Sequence, residues 1–185
     1  MEVMTEKNIE VSPHPDFFEA LFAYKNTVSN IFKDVLGLYN INHIAITYID
    51  KLNKLLTLSS TPSLEFNLFK SNLWRFDKTY QSSWYALCNP SPWQSLYILP
   101  HYKELYQLKQ IRHEYPLGLS LPVNTSDSHI IYSIASHKNC QKSQDYFATE
   151  QINFYKIGQY CNNILLSIVE KHGYDNISLN NDLIL

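Results

Sequence analysis

The stretch EYPLGLSLPV, residues 114–123, places Gly118 and Ser120 where a strand ordinarily prefers bulk. Side chains alternate across a strand, so a strand here carries small groups on one side and leucines on the other. A small-residue side suits the wall of a cavity. The chemistry within reach is binding rather than bond-making. His113 and Glu114 are adjacent and form a conceivable acid–base pair, but at the end of a polar helix they read better as solvated side chains. A nucleophilic Cys88 would need a matched base, and the sequence supplies none. His129 and His137 are too far apart for a local metal site, and no His-x-x-x-His or Cys-x-x-Cys occurs. The turn NTSDS, residues 124–128, has a composition that makes turns, not catalysts. Gly37, Gly118, Gly158 and Gly173 are isolated, which excludes a glycine-rich phosphate loop. The chain is therefore read as a non-enzyme with no metal and no cofactor.

The elements that must position such a wall are those of one domain. A chain of 185 residues with 45% hydrophobic and 17% charged residues can bury a core and is not disordered. Aromatic residues make up 14%, enough to fill a large core or line a pocket. The net charge of −2, with 15 scattered Lys and Arg, argues against nucleic-acid binding through the whole surface. Three distant cysteines argue against a disulfide framework and fit a reducing cytoplasm. The polar N-terminus is unlike a signal peptide, and no apolar run reaches membrane-helix length.

Helical spacing covers residues 16–36, with Asp16 as its cap and Gly37 as its stop. HIAITYID (43–50) and LLTLSS (55–60) read as a first hairpin. Residues 63–76 return to helical spacing, NPSPWQS (89–95) is a proline-punctuated loop, and residues 101–115 place Leu105, Leu108 and Ile111 at helical intervals. Residues 117–123 and 129–136 form a second hairpin. One long amphipathic helix runs from 145 to 171 through Phe154, Ile157, Cys161, Ile164, Leu165 and Ile168. The expected fold is α+β: an α-β-α sandwich with a central antiparallel sheet of about five strands flanked by helices. A flexible arm over 1–15 precedes a single domain over 16–172, and a tail over 173–185 follows.

Three stretches give this order a resemblance. SSTPSLEFNLFKSNLWRFDKTY, SPWQS and LGLSLPVNTSDSHIIYSIAS together resemble the autoinducer-binding domain of LuxR-type quorum-sensing regulators, a PAS- and GAF-like sensor, over most of residues 16–171. The resemblance implies that Asp77 accepts a hydrogen bond from a ligand amide; an exposed or capping aspartate is the structural alternative. It implies that Trp93 packs over the ligand head, where an ordinary core tryptophan would look the same. Gly118 would keep the wall open, or would serve close backbone packing. Ser120, Ser133 and Thr79 would line the wall, with surface positions as the alternative for the serines. Tyr48 and Tyr132 are further wall candidates.

Two departures qualify this. The family's Trp and Tyr that hold the ligand carbonyls fall, by ungapped alignment from Asp77, on Leu64 and Leu68, and the Asp-Pro pair is Asp77-Lys78. The ligand is then expected to be acyl-homoserine-lactone-like or a less polar, apolar signal. The family's helix-turn-helix output is also absent from this sequence, so DNA would be reached only through an output domain outside this chain. The expected partners are a second copy or a full-length regulator, docked through the first and last helices. A ligand-free module that heterodimerises with a regulator, its cavity filled by Leu64, Leu68 and aromatic rings, is the alternative.

Overall fold

The sheet follows from period-two alternation. The computed structural model describes residues 10–174. Its strands are β1 (Ser12–Pro13), β2 (His43–Ile49), β3 (Lys54–Ser59), β4 (Ser91–Pro92), β5 (Leu117–Asn124) and β6 (His129–Ser136). They form one sheet in the order β1-β3-β2-β6-β5-β4, antiparallel except where β1 joins β3. The expected α+β class and both hairpins are present. The six strands include two edge strands of two residues each, which composition alone gives no reason to expect. Each edge strand carries a proline, Pro13 or Pro92, which blunts the sheet against further pairing.

Helices α1 (Phe17–Ala23), α2 (Lys25–Phe32), α3 (Pro62–Lys70), α4 (Ser82–Tyr85), α5 (Trp93–Leu96), α6 (Tyr102–Tyr106), α7 (Gln141–Thr149) and α8 (Gln151–Glu170) flank the sheet. Two expected long helices are broken. Residues 16–36 divide at Tyr24, whose hydroxyl bonds His172 Nε2 at 3.2 Å beyond the end of α8. Asp16 does not cap with its side chain; its carboxylate reaches His172 Nδ1 at 3.1 Å instead. The helix expected over 145–171 begins earlier, at Gln141, and divides at Glu150, whose Oε2 accepts from Asn153 Nδ2.

Residues 10–15 of the expected arm are tied down. Ser12 N–H donates to Asn53 O at 2.9 Å, His14 N–H donates to Leu55 O at 2.8 Å, and Val11 is buried. Residues 1–9 and 175–185, the rest of the arm and nearly all of the tail, lie outside the described residues. Among the described residues, no helix is long and apolar enough to cross a membrane.

Alternation gives the sheet two unlike faces. Ile44, Ile46, Tyr48, Leu56, Leu58, Leu119, Leu121, Ile130, Tyr132 and Ile134 point into one core, together with α2, α7 and α8. The opposite face carries Ala45, Thr47, Thr57, Ser59, Gly118, Ser120, Ser133 and Ala135 together with Ile49, Leu55 and Ile131, and is covered by α1, α3, α5, α6 and the segment 73–85. Tyr48 and Tyr132 therefore lie on the aliphatic face and do not line the other.

Candidate functional site

The small-residue face has room for what covers it. An added Cβ on Gly118 would stand 2.1 Å from Cδ2 of Trp93, so the glycine is the floor on which the indole lies. Trp93 begins α5 directly after Pro92 of the edge strand β4, and this pairing with β5 sets its ring over the sheet. The packing alternative for Gly118 is the geometry found.

Asp77 is fully buried. It follows the 3₁₀ turn Leu73–Phe76 and opens the next one, Lys78–Tyr80. Its Oδ1 caps that turn by accepting from Thr79 N–H at 3.0 Å. Thr79 Oγ1 lies 3.3 Å from Ser120 Oγ, and Ser120 Oγ lies 3.4 Å from Ser133 Oγ. Ser120 is buried and Ser133 half-buried. Leu64 and Leu68, on α3, are buried in the same cluster as Trp93. Eight of the ten residues considered from sequence thus lie on or over one face of the sheet, and Tyr48 and Tyr132 lie on the other.

The residue that completes the site was not foreseen. Lys109 Nζ donates to Asp77 Oδ2 at 2.6 Å, and the lysine is 4% exposed. Its ammonium also faces the Trp93 ring at 4.5 Å and the Tyr97 ring at 5.4 Å. A buried carboxylate needs such a donor, since an isolated buried charge costs several kcal/mol. The reach of Lys109 comes from a π-helical turn, Gln107–Arg112, in which Leu108, Lys109 and Gln110 are all buried. Three consecutive residues of an α-helix spread over some 200° of its circumference and rarely share one side. The wider turn presents them together and rotates Ile111 outward to 50% exposure. Gln110 and Tyr97 close this end through paired hydrogen bonds of 3.0 and 2.9 Å.

A second buried pair lies beside the first. His43, at the start of β2, holds Thr61 Oγ1 at 3.0 Å with Nδ1, and its Nε2 is 3.6 Å from Glu65 Oε1. Burial drives the imidazole down to about 3, helped by the nearby Lys109 cation. Burial pushes the Glu65 carboxyl up to about 7, partly offset by Lys109 and by Ser59, whose Oγ is 3.4 Å away. At neutral pH the histidine is uncharged, and the glutamic acid holds its proton to a much higher pH than a free carboxyl. Among the described residues, two buried polar groups of this region have no hydrogen-bond partner: Trp93 Nε1 and His43 Nε2.

Among the described residues, no His, Cys, Asp and Glu group could hold a metal ion. A surface cleft of about 320 Å³ shares two rings with this cluster, Trp74 and Tyr80. Burial raises the Tyr80 phenol well above its ordinary range, and the neighbouring Glu65 and Asp77 carboxyls add to that. No protein-family model matches the chain, and no curated protein is significantly similar to it.

Proposed function

We propose that this chain is the signal-sensing domain of a LuxR-type transcriptional regulator, acting in the cytoplasm, with its small-molecule site on the small-residue face of the sheet. The observation that carries this is the density of buried polar groups there. Asp77, Lys109, Glu65, His43, Thr79 and Ser120 share one region of a domain interior. A core built only for stability gains nothing from them, because buried polar and charged groups are costly and apolar replacements often stabilise. Binding sites keep such groups because they recognise a ligand, and perturbed titration is common in them. A ligand seated against Trp93 adds to folding by mass action, about 2.7 kcal/mol at a hundred times its Kd. That is enough to couple signal to the dimer and to an output domain.

A specific observation favours a second reading. Lys109 already supplies the donor that Asp77 needs, and Leu64 and Leu68 fill the position of a polar clamp. Phe18 and Phe22 stand 40% and 44% exposed against Phe66, an aromatic surface for a protein partner. This is the ligand-free module that heterodimerises with a regulator. Native mass spectrometry of the chain purified from its own host separates the two. A non-covalent small-molecule adduct, released on denaturation, is expected; reproducibly empty protein would overturn the sensing reading in favour of the second.

A further inference from the structure

Three cations meet on the outer surface of the protein. A cleft of about 880 Å³ opens where the end of α3 faces α6 and the π-helical turn. Lys70 enters it from α3, Lys103 from α6 and Arg112 from the end of the turn, and all three are exposed. Among the described residues none of them forms an ion pair. The one acid in the lining, Glu104, stands 3.5 Å from His101 Nδ1. The chain carries a net charge of −2, so the cleft is positive against the sign of the molecule.

Part of this has a local cause. Lys70 and Arg112 close their helices, where the carbonyl ends favour a cation. Lys103 does not. It is the second residue of α6, at the end where a helix favours an acid. Helix ends also give no reason for cations from three elements to meet at one cleft.

The apolar part of the lining sets the chemistry of the occupant. It consists of Leu73 and Leu108, and Leu108 continues into the interior cluster that holds Trp93. Apolar contact framed by charge is the anatomy of a protein interface. A small anion would leave the two leucines uncovered. A nucleic-acid strand would find no ring in the lining for a base to stack on. The walls are helical, so an extended peptide meets no strand edge to pair with, whereas a helix lays its apolar stripe along such a groove.

We infer that this cleft docks an acidic amphipathic helix of a protein partner, its apolar stripe on Leu73 and Leu108 and its flanking Asp and Glu against Lys70, Lys103 and Arg112. The cations steer the encounter and select the partner, and the leucines supply apolar contact. The surface does not depend on which reading of the small-residue face holds. It shares the turn Gln107–Arg112 with Lys109, so the partner and the interior ion pair rest on one element.

The probe is a fluorescent helical peptide of about five turns, with leucines at i, i+3, i+4 and i+7 spacing and glutamates on both flanks. Its binding to the full chain is read by anisotropy. Two control peptides replace the glutamates by lysines or the leucines by serines, and pyrophosphate and oligothymidine enter as competitors. The Leu/Glu peptide binds and the controls do not. Lys70→Glu, Lys103→Glu and Arg112→Glu together weaken binding at least about tenfold. Lys25→Glu, Lys33→Glu and Lys156→Glu, which make the same charge change at exposed positions elsewhere, weaken it less than about twofold. Lys103→Gln, a single neutralisation for the case in which the cleft triple melts early, weakens it about threefold. Equal weakening by the two triples, no weakening by Lys103→Gln, binding of either control peptide, or no binding of the Leu/Glu peptide overturns the inference. Displacement by pyrophosphate or oligothymidine at lower concentration than by unlabelled peptide also overturns it. Each of these leaves the sensing reading in place, because a bound small molecule decides that one.

Discussion

The two faces of the sheet are made by the same strands and solve opposite problems. On one face, isoleucines, leucines and two tyrosines meet α8, and Tyr48 satisfies its hydroxyl on Asn162 Oδ1 at 2.8 Å. On the other, threonines, serines, alanine and glycine meet an indole, a lysine and two carboxyls. Each face holds one ring against a glycine: Tyr132 on Gly158 of α8, and Trp93 on Gly118 of β5. The close packing is shared, so packing is not what sets the faces apart. Among the described residues, buried polar atoms without a hydrogen-bond partner occur on both faces, Tyr132 OH and Asn162 Nδ2 on the first and Trp93 Nε1 and His43 Nε2 on the second; what sets the second apart is the buried Lys109–Asp77 ion pair at its centre. Apolar burial stabilises the first at about 25 cal/mol per Å². The second buries apolar surface as well, largely aromatic, and adds the ion pair and carboxyls on which the proposed recognition rests.

The largest effect comes from breaking the ion pair. Lys109→Met keeps most of the aliphatic stem and strands Asp77 as an unpaired buried charge, so urea denaturation shows a loss of about 3–5 kcal/mol. Lys109→Met combined with Asp77→Asn recovers a large part of that loss. A double variant as unstable as the single one would mean that the pair's charges are not what matters. Next come the glycines. Gly118→Ala and Gly158→Ala each force a buried ring to shift and cost about 1–3 kcal/mol by chemical denaturation. Equal costs sharpen the view that the faces are packed alike; a silent Gly118→Ala would mean that the site face is loose.

A pH profile separates the faces further. Glu65 titrates at about 7 in the fold against 4.5 for a free carboxyl, so the folded chain keeps a proton that the unfolded chain releases, and stability falls as pH rises from 4.5 to 7. His43 does the reverse. It titrates at about 3 against 6.5, and its contribution is lost as pH falls from 6.5 toward 3. Between 4.5 and 6.5 the two slopes oppose each other. Glu65→Gln removes one of them. Relative to the parent, its stability then rises with pH across that window, by up to about 1.4 kcal/mol per pH unit. Parallel curves for parent and variant would contradict the assignment. The smallest effect is that of Ser120→Ala, whose neighbours Thr79 and Ser133 keep other options; it costs no more than about 1 kcal/mol in the same denaturation assay.

Alternation made the strands legible, because β-branched and aromatic runs bounded by polar turns have few other solutions. His129–Ser136 is recovered residue for residue. The helices were less legible where tertiary contacts override periodicity, as at Tyr24 and Glu150. The convergence of Asp77, Thr79, Trp93, Gly118, Ser120 and Ser133 could be read from a resemblance, but their central partner could not. Helical spacing pointed to Leu105, Leu108 and Ile111 as the buried set. The π-helical turn moved Lys109 and Gln110 inward and Ile111 outward, and a period of 3.6 cannot register an inserted residue. The one available signal was energetic: a buried Asp77 demanded a cation or a strong donor, and the sequence offered too many lysines to choose among.

The central claim is that the small-residue face, not the aliphatic one, receives the signal. Trp93 Nε1–H reports on it directly, because the indole resonance of an unpartnered buried donor moves when an acceptor arrives. ¹⁵N–¹H correlation spectra of the chain, titrated with the native host's organic extract, will show the Trp93 indole signal shifting while the side-chain amide of Asn162, on the other face, stays in place. An unmoved Trp93 indole, or a shift confined to Asn162 and its neighbours on α8, would contradict the account.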